Sequence, residues 1–284
     1  MQRVVCENPR GEKIDFFSDG SPVEVISLDG FTDIEYNVKT TQNTGQDGET
    51  YSGAEAQKRN PVIVGTLKGD FRTQRDRLYS FFQPRTPGTL YYWESENDAG
   101  RRATYYVESI KIDNFGVIRG VEISLICPDP KFYALSDNLT QLAVWEGMIE
   151  WPLEIVEPFE VTRKINSLIG NVYNPSAVPM GLTVTFRASG TVVNPSLYDV
   201  NRQELMKINT TMSAGDLIVV TTGDGNKRVT LTRGGVTTNI NNLMNYPPKW
   251  LKAYQGDNLY RYNADEGIDN LSVSILSTQA YWGA

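Results

Sequence analysis

The sequence contains no histidine and only two cysteines, Cys6 and Cys127. Without histidine, no Ser-His-Asp or Cys-His catalytic arrangement can be assembled. The usual zinc sites fail as well, because two thiols alone cannot complete a tetrahedral set. A single bridge between the cysteines is left open should their strands be neighbours. A chain made in the cytosol normally keeps its thiols reduced, however, so both read as small buried hydrophobes. No basic neighbour in sequence marks Cys127 as a nucleophile. Long apolar runs are missing too: none approaches the ~20 residues that a membrane-spanning helix needs. The opening MQRVVCENPRGEKIDFF lacks the long apolar stretch of a secretory leader. A soluble chain, synthesised in the cytoplasm and not inserted in a membrane, is expected.

Clustered positive charge is also scarce. The net charge is −7. It is evenly spread, with 16 Lys and Arg against 20 Asp and Glu up to residue 131 and 11 against 14 afterwards. Tight phosphate binding needs Lys and Arg gathered together. Short pairs such as Lys58-Arg59 and Arg101-Arg102 read instead as solvated faces, so tight nucleic-acid binding is not expected.

What is present is β-structure. At 284 residues, 40% hydrophobic, with 15 Tyr, 10 Phe and 5 Trp, the chain is long enough for two domains with real cores. Short apolar runs alternate with turn residues: Lys13–Phe17 precedes Ser18-Asp19-Gly20-Ser21-Pro22, and Val23–Leu28 precedes Asp29-Gly30. TTQNTGQDGETYSG (40–53) is polar, glycine-rich and too long for a tight turn, so it reads as a projecting loop or arm that contacts something. Strands are expected at Pro61–Lys68, Gly88–Glu94, Arg102–Asp113 and Val117–Ile126, the last two joined at Asn114-Phe115-Gly116. One helix is expected in FRTQRDRLYSFF (71–82), with Phe71, Leu78 and Phe82 on one face, Thr73 as N-cap and Pro84 as stop. The second half reads as strands throughout. Gly223-Asp224-Gly225-Asn226 is a hairpin turn between Leu217–Thr222 and Lys227–Thr232.

Three stretches invite chemistry. LICPDPKFYAL (125–135) starts as a strand and is then stopped by Pro128 and Pro130. Proline disfavours helical geometry in the residue before it, so Cys127 and Asp129 are held extended, and the run Cys127, Pro128, Asp129, Pro130 reads as a joint between two bodies. Phe132 or Tyr133 would dock the joint on a neighbouring surface. In WEGMIEWPLEIVEPFE (145–160), Glu146, Glu150, Glu154 and Glu157 alternate with apolar residues, which is the pattern of exposed positions beside a buried face rather than a pair of catalytic carboxylates. In NYPPKWLKAYQGDNLYRY (245–262), Trp250, Tyr254 and Tyr260 are candidates for stacking on a sugar, although aromatic sheet faces more often bury. Asp224 lacks the further carboxylates of a calcium loop. No catalytic residue, metal ligand or cofactor is assigned.

Several stretches, taken in order, resemble the distal tail proteins of long-tailed bacteriophages. They are QDGETYSG with NPVIVGTLKGD, RDRLYSFF and GTLYYWE; then LICPDPKFYAL; then NVYNPSAVPMGLTVTFRASGTVVNPSLYDV, QELMKINTTMSAGDLIVVTT and DNLYRYNADEGIDNLSVSILSTQAYWG. The resemblance implies a mainly β chain with a tail-tube-like β-sandwich flanked by one helix over 1–131, and a galectin-like or jelly-roll β-sandwich over 132–284. It implies a structural protein of the virion tail, at the tail tip or baseplate, in which six copies form a ring. The tail tube protein and other tail-tip proteins would be its partners, and DNA would pass through the channel without being gripped. Phage-tail-like bacteriocins carry similar proteins. Gln46, Asp47, Gly48, Glu49 and Tyr51 would form an arm at the ring interface. The alternative is a carbohydrate- or receptor-binding module of a tail, which takes a cell-surface saccharide on the C-terminal sandwich.

Overall fold

The computed structural model describes residues 2–45, 47–113, 119–147, 162–166 and 168–283, without the side chains of 143–147 and 162–166. The chain forms two compact units. The first comprises residues 1–135 together with 280–284, and the second residues 136–279.

In the first unit, β1 (Arg3–Glu7), β2 (Lys13–Asp15), β3 (Val23–Asp29), a hairpin of β4 (Tyr36–Thr41) and β5 (Thr50–Ala56), and β6 (Val62–Leu67) precede helix α1 (Phe71–Phe81). Then follow β7 (Gly88–Trp93), β8 (Arg101–Ile112), β9 (Gly120–Ile126) and β10 (Phe132–Ala134). The main sheet runs β2-β1-β7-β8-β9-β6-β3, antiparallel at each step. Alternation builds it: β7 buries Gly88, Leu90 and Tyr92 and turns Thr89, Tyr91 and Trp93 outward. The twelve-residue β8 belongs to both halves of the sheet, and its register shifts between Val107 and Ser109. Such a bulge bends a strand. Val4 and Leu90 from one half therefore share a core with Ile63 and Ile123 from the other.

α1 closes this core with Leu78 and Phe81, and Phe82 follows just past its end, its ring 6.1 Å from that of Tyr105. Among the described residues it is the only α-helix. Its N-cap is Asp70 rather than Thr73, whose backbone N–H donates to the Asp70 carboxylate at 2.9 Å. A carboxylate is the better acceptor there, because the free N–H groups of the first turn carry partial positive charge.

The expected division at 131/132 falls instead at 135/136. Cys127 still pairs with Arg59 through two backbone hydrogen bonds of 2.8 and 3.0 Å. Beyond the prolines, Phe132 is fully buried in the first unit's core, and β10 pairs with β8. The run 127–130 is thus an elbow inside the first unit. The chain also returns there at its end, where Ala280–Tyr281 pairs antiparallel with β10.

The second unit is a two-layered sandwich. One sheet orders the strands Asn138–Gln141, Leu271–Ser277, Met180–Ala188, Leu217–Thr221, Arg228–Arg233 and Val236–Asn239. The other orders Ile169–Asn174, Gly256–Asn263, Ser196–Asp199 and Glu204–Lys207. Phe186 and Val184 from the first meet Tyr260, Tyr262 and Leu197 from the second in one core. The hairpin turn at 223–226 closes with Asn226 N–H donating to the Gly223 carbonyl at 3.0 Å, and Asp224 pairs with Lys252. A separate hairpin pairs Ala143–Gly147 with Thr162–Asn166.

Two expectations follow. Deleting 280–284 leaves β10 paired with β8 alone, so the first unit should lose about 2–4 kcal/mol, at roughly 1 kcal/mol for each lost hydrogen bond plus packing. The second unit's denaturant transition should stay in place. An unchanged first transition would show the strand to be dispensable. Asp216, buried in the second unit, accepts from the Arg233 guanidinium at 2.6 Å and from Ser213 N–H at 2.7 Å, which holds its carboxyl below the usual range. A depressed folded-state pKa gives stability that is complete above the unfolded value of about 4 and is lost as pH falls through the folded one. The second unit should therefore weaken on acidification below about pH 4, and Asp216→Asn should flatten this dependence. Equal pH slopes for the two proteins would contradict it.

Candidate assembly surface

The stretch expected as a loop is largely a hairpin. Residues 40–41 and 50–53 belong to β4 and β5, and the described residues 42–45 and 47–49 lie between them. Gly45 and Gly48 have φ of 84° and 87°, a left-handed geometry that glycine adopts without strain. Lys39 pairs with Glu55 at 2.5 Å, Thr41 bonds Ser52 and Asn43 donates to Thr50, so the polar face is tied together. The other face differs. Opposed pairs Tyr36–Ala56, Val38–Ala54 and Thr40–Tyr51 share it, because directly paired residues point to one side of a sheet. Tyr36, Val38 and Tyr51 are 48%, 54% and 64% exposed. A lone two-stranded hairpin is marginal in water, and this one carries apolar side chains that stay exposed among the described residues, with a Tyr36–Trp282 edge contact at one end.

Its root is held by Arg59, three residues past β5 and only 5% exposed. The guanidinium donates to the carbonyls of Gly30 (3.2 Å), Phe31 (2.9 Å) and Asp33, which precede β4. It also donates to Pro130 (3.1 Å) of the elbow and to Trp282. Its centre lies 4.9 Å over the Phe132 ring. Burial is the main influence on it and lowers its pKa. The reading of Lys58-Arg59 as a solvated pair is thus corrected at Arg59. Gly30 is needed at this root, since a Cβ there would lie 2.2 Å from the Asn60 carbonyl oxygen.

Of the expected arm residues, Asp47, Gly48 and Glu49 lie in the exposed turn and Tyr51 on the apolar face; Gln46 lies outside the described residues. Tyr36 and Val38 were missed. Their alternation with Asn37 and Lys39 was the available signal. The elbow residues act locally: Asp129 accepts from Lys131 N–H at 3.1 Å and from the Tyr133 hydroxyl at 2.5 Å. Both cysteines are free and buried, and burial pushes the Cys127 thiol up to about 12, far from a reactive thiolate. On α1, Arg75 pairs with Asp76 and Arg77 reaches the Gly20 carbonyl, while Arg72 is exposed.

Among the candidate sugar contacts, Tyr260 is fully buried and its hydroxyl is raised in pKa by desolvation, which removes it from any surface. The residue belongs to the inward-facing set Asn258, Tyr260 and Tyr262 of its strand. Trp250 is half-buried against the core, and Tyr254 is partly exposed with the Arg202 guanidinium stacked 3.6 Å over its ring. Glu150, Glu154 and Glu157 lie outside the described residues, as does the side chain of Glu146. Among the described residues no three His, Cys, Asp or Glu side chains are placed to hold a metal ion.

Residues 11–127 match the family described as phage tail protein RIFT-related domain. Among curated proteins none matches the chain. Among solved structures, the Dit protein of phage SPP1, described as a paradigm of the hub adsorption apparatus in phages infecting Gram-positive bacteria, superposes with a TM-score of 0.71 at 12% identity. That match covers 98% of each chain. A protein of the phage p2 baseplate in its activated conformation superposes with a TM-score of 0.53 at 9% identity over the whole of both chains. Residues 11–127 thus resemble the phage tail protein RIFT-related domain, and the chain as a whole has a Dit-like fold.

Proposed function

We propose that this chain is a structural hub of a phage or phage-like tail, in which six copies form a ring between the tail tube and the tail tip or baseplate. The observation that carries the reading is the likeness to the SPP1 hub protein, which runs through both units rather than one domain alone. The physical features suit the role. A head-to-tail ring needs two different complementary surfaces on each copy, and closes when the rotation between copies allows it. The apolar face of the β4–β5 arm supplies one such surface. The ring's channel would let DNA pass without holding it, as suits a chain of net charge −7 whose α1 arginines are partly engaged by an acid and a backbone carbonyl. No catalytic step is assigned. A saccharide-binding role for the second unit would rest on Tyr254 and Trp250 alone now that Tyr260 is buried, and the hub reading is preferred.

Negative-stain images of the purified protein should show six-fold rings with an open centre. Monomers at every concentration would overturn the proposal. Deleting 43–50 removes the arm's tip and should leave both units folded while weakening self-association at least tenfold by light scattering. Unchanged oligomers would take the arm out of the interface. Duplex DNA should show no saturable, salt-sensitive binding in a mobility assay. Binding abolished by changing Arg72, Arg75 and Arg77 would end the passive-channel reading.

A further inference from the structure

We infer that Arg59 couples the arm to the C-terminal strand, so that the two order and loosen together. Its five acceptors come from three separate stretches: the loop 30–33 that leads into the arm, the elbow at Pro130, and Trp282 next to the C-terminal strand. All are backbone carbonyls, so they stay in reach only while all three stretches hold their positions. If one moves away, a buried N–H of a charged group is left without an acceptor, and that is costly. Arg59 therefore makes the order of each stretch depend on the others.

A second contact runs between the same two ends without passing through Arg59. The ring of Tyr36, the first residue of the arm, meets the ring of Trp282 edge-on at 6.3 Å. The C-terminal strand is also fastened by Arg101, whose guanidinium donates to the Gly283 carbonyl at 2.5 Å and lies 4.3 Å over the Tyr281 ring. The strand is thus firm enough to transmit a displacement.

The elbow leads through β10 into residues 136–279, and the C-terminal strand leads out of them. This gives the coupling a use. An event that shifts those leads reaches the root of the arm through the Arg59 guanidinium and the Tyr36–Trp282 contact. That use rests on the arm being an assembly element, whereas the coupling itself does not.

Hydrogen exchange of the full chain tests it with three variants. Trp282→Ala, at the strand, should raise exchange several-fold at the arm root, residues 30–38 and 54–60. Tyr36→Ala, at the arm, should raise it at 280–283, because coupling is reciprocal. Arg59→Lys keeps the charge but loses the planar fork, and should raise both. Changes confined to each variant's own segment would overturn the inference. Trp282 and Tyr36 both retain solvent exposure, so this pair can overturn the coupling even should Arg59→Lys fail to fold, while Arg59→Lys reports the guanidinium's own share. Light scattering on the same samples separates the two readings. Reciprocal exchange with unchanged assembly upholds the coupling and rejects the arm's role in the ring, while segment-confined exchange with weakened assembly does the reverse.

Discussion

A guanidinium taken out of water is tolerated only when its N–H groups find acceptors. At Arg59 those acceptors are carbonyls from the loop before the arm, the elbow and the residue after the C-terminal strand. Much of the first unit follows from this arrangement. The elbow's prolines donate no backbone hydrogen bonds of their own, yet the Pro130 carbonyl is free to accept from Arg59. The left-handed Gly30 lets the loop pass close to Asn60. The C-terminal strand is drawn against β10 and completes the sheet.

The second unit is built on a different principle. Its two sheets bury alternate residues of nearly every strand, as in Met180–Ala188 and Gly256–Asn263. Of its buried carboxylates, Asp216 is neutralised in the ordinary way, by Arg233 at 2.6 Å. It interrupts the first unit in sequence, between β10 and Ala280, and has a core of its own.

The sequence made the regular parts of the fold legible and left the joins hidden. Strands β6 to β9, helix α1 and the 217–233 hairpin were readable because local pattern governs them: period-two burial, an apolar helix face on which Leu78 was placed and Phe81 missed, glycines in a tight turn. The cap was misplaced because Thr73 and Asp70 are both good capping residues, and only backbone geometry tells which begins the helix. Arg59 was hidden for a stronger reason. Its partners are carbonyls, which every residue carries, and one of them lies 223 residues away. Tyr260 was misjudged because a strand rich in aromatics does not say which face is inward until its register is known. The arm was half legible. Its polarity and glycines pointed to projection, but the pairing of Tyr36, Val38 and Tyr51 on one face emerged only with the register.

The central claim is that the arm's apolar face is covered when copies assemble. Oxidative footprinting of tyrosines across a concentration series tests it within one sample. Tyr246, 95% exposed in the second unit, serves as the internal reference. The account predicts that Tyr36 and Tyr51 lose reactivity as assembly proceeds while Tyr246 does not. If Tyr36 and Tyr51 react in the assembled protein as they do in the dilute one, the arm is not at the interface and the account is contradicted.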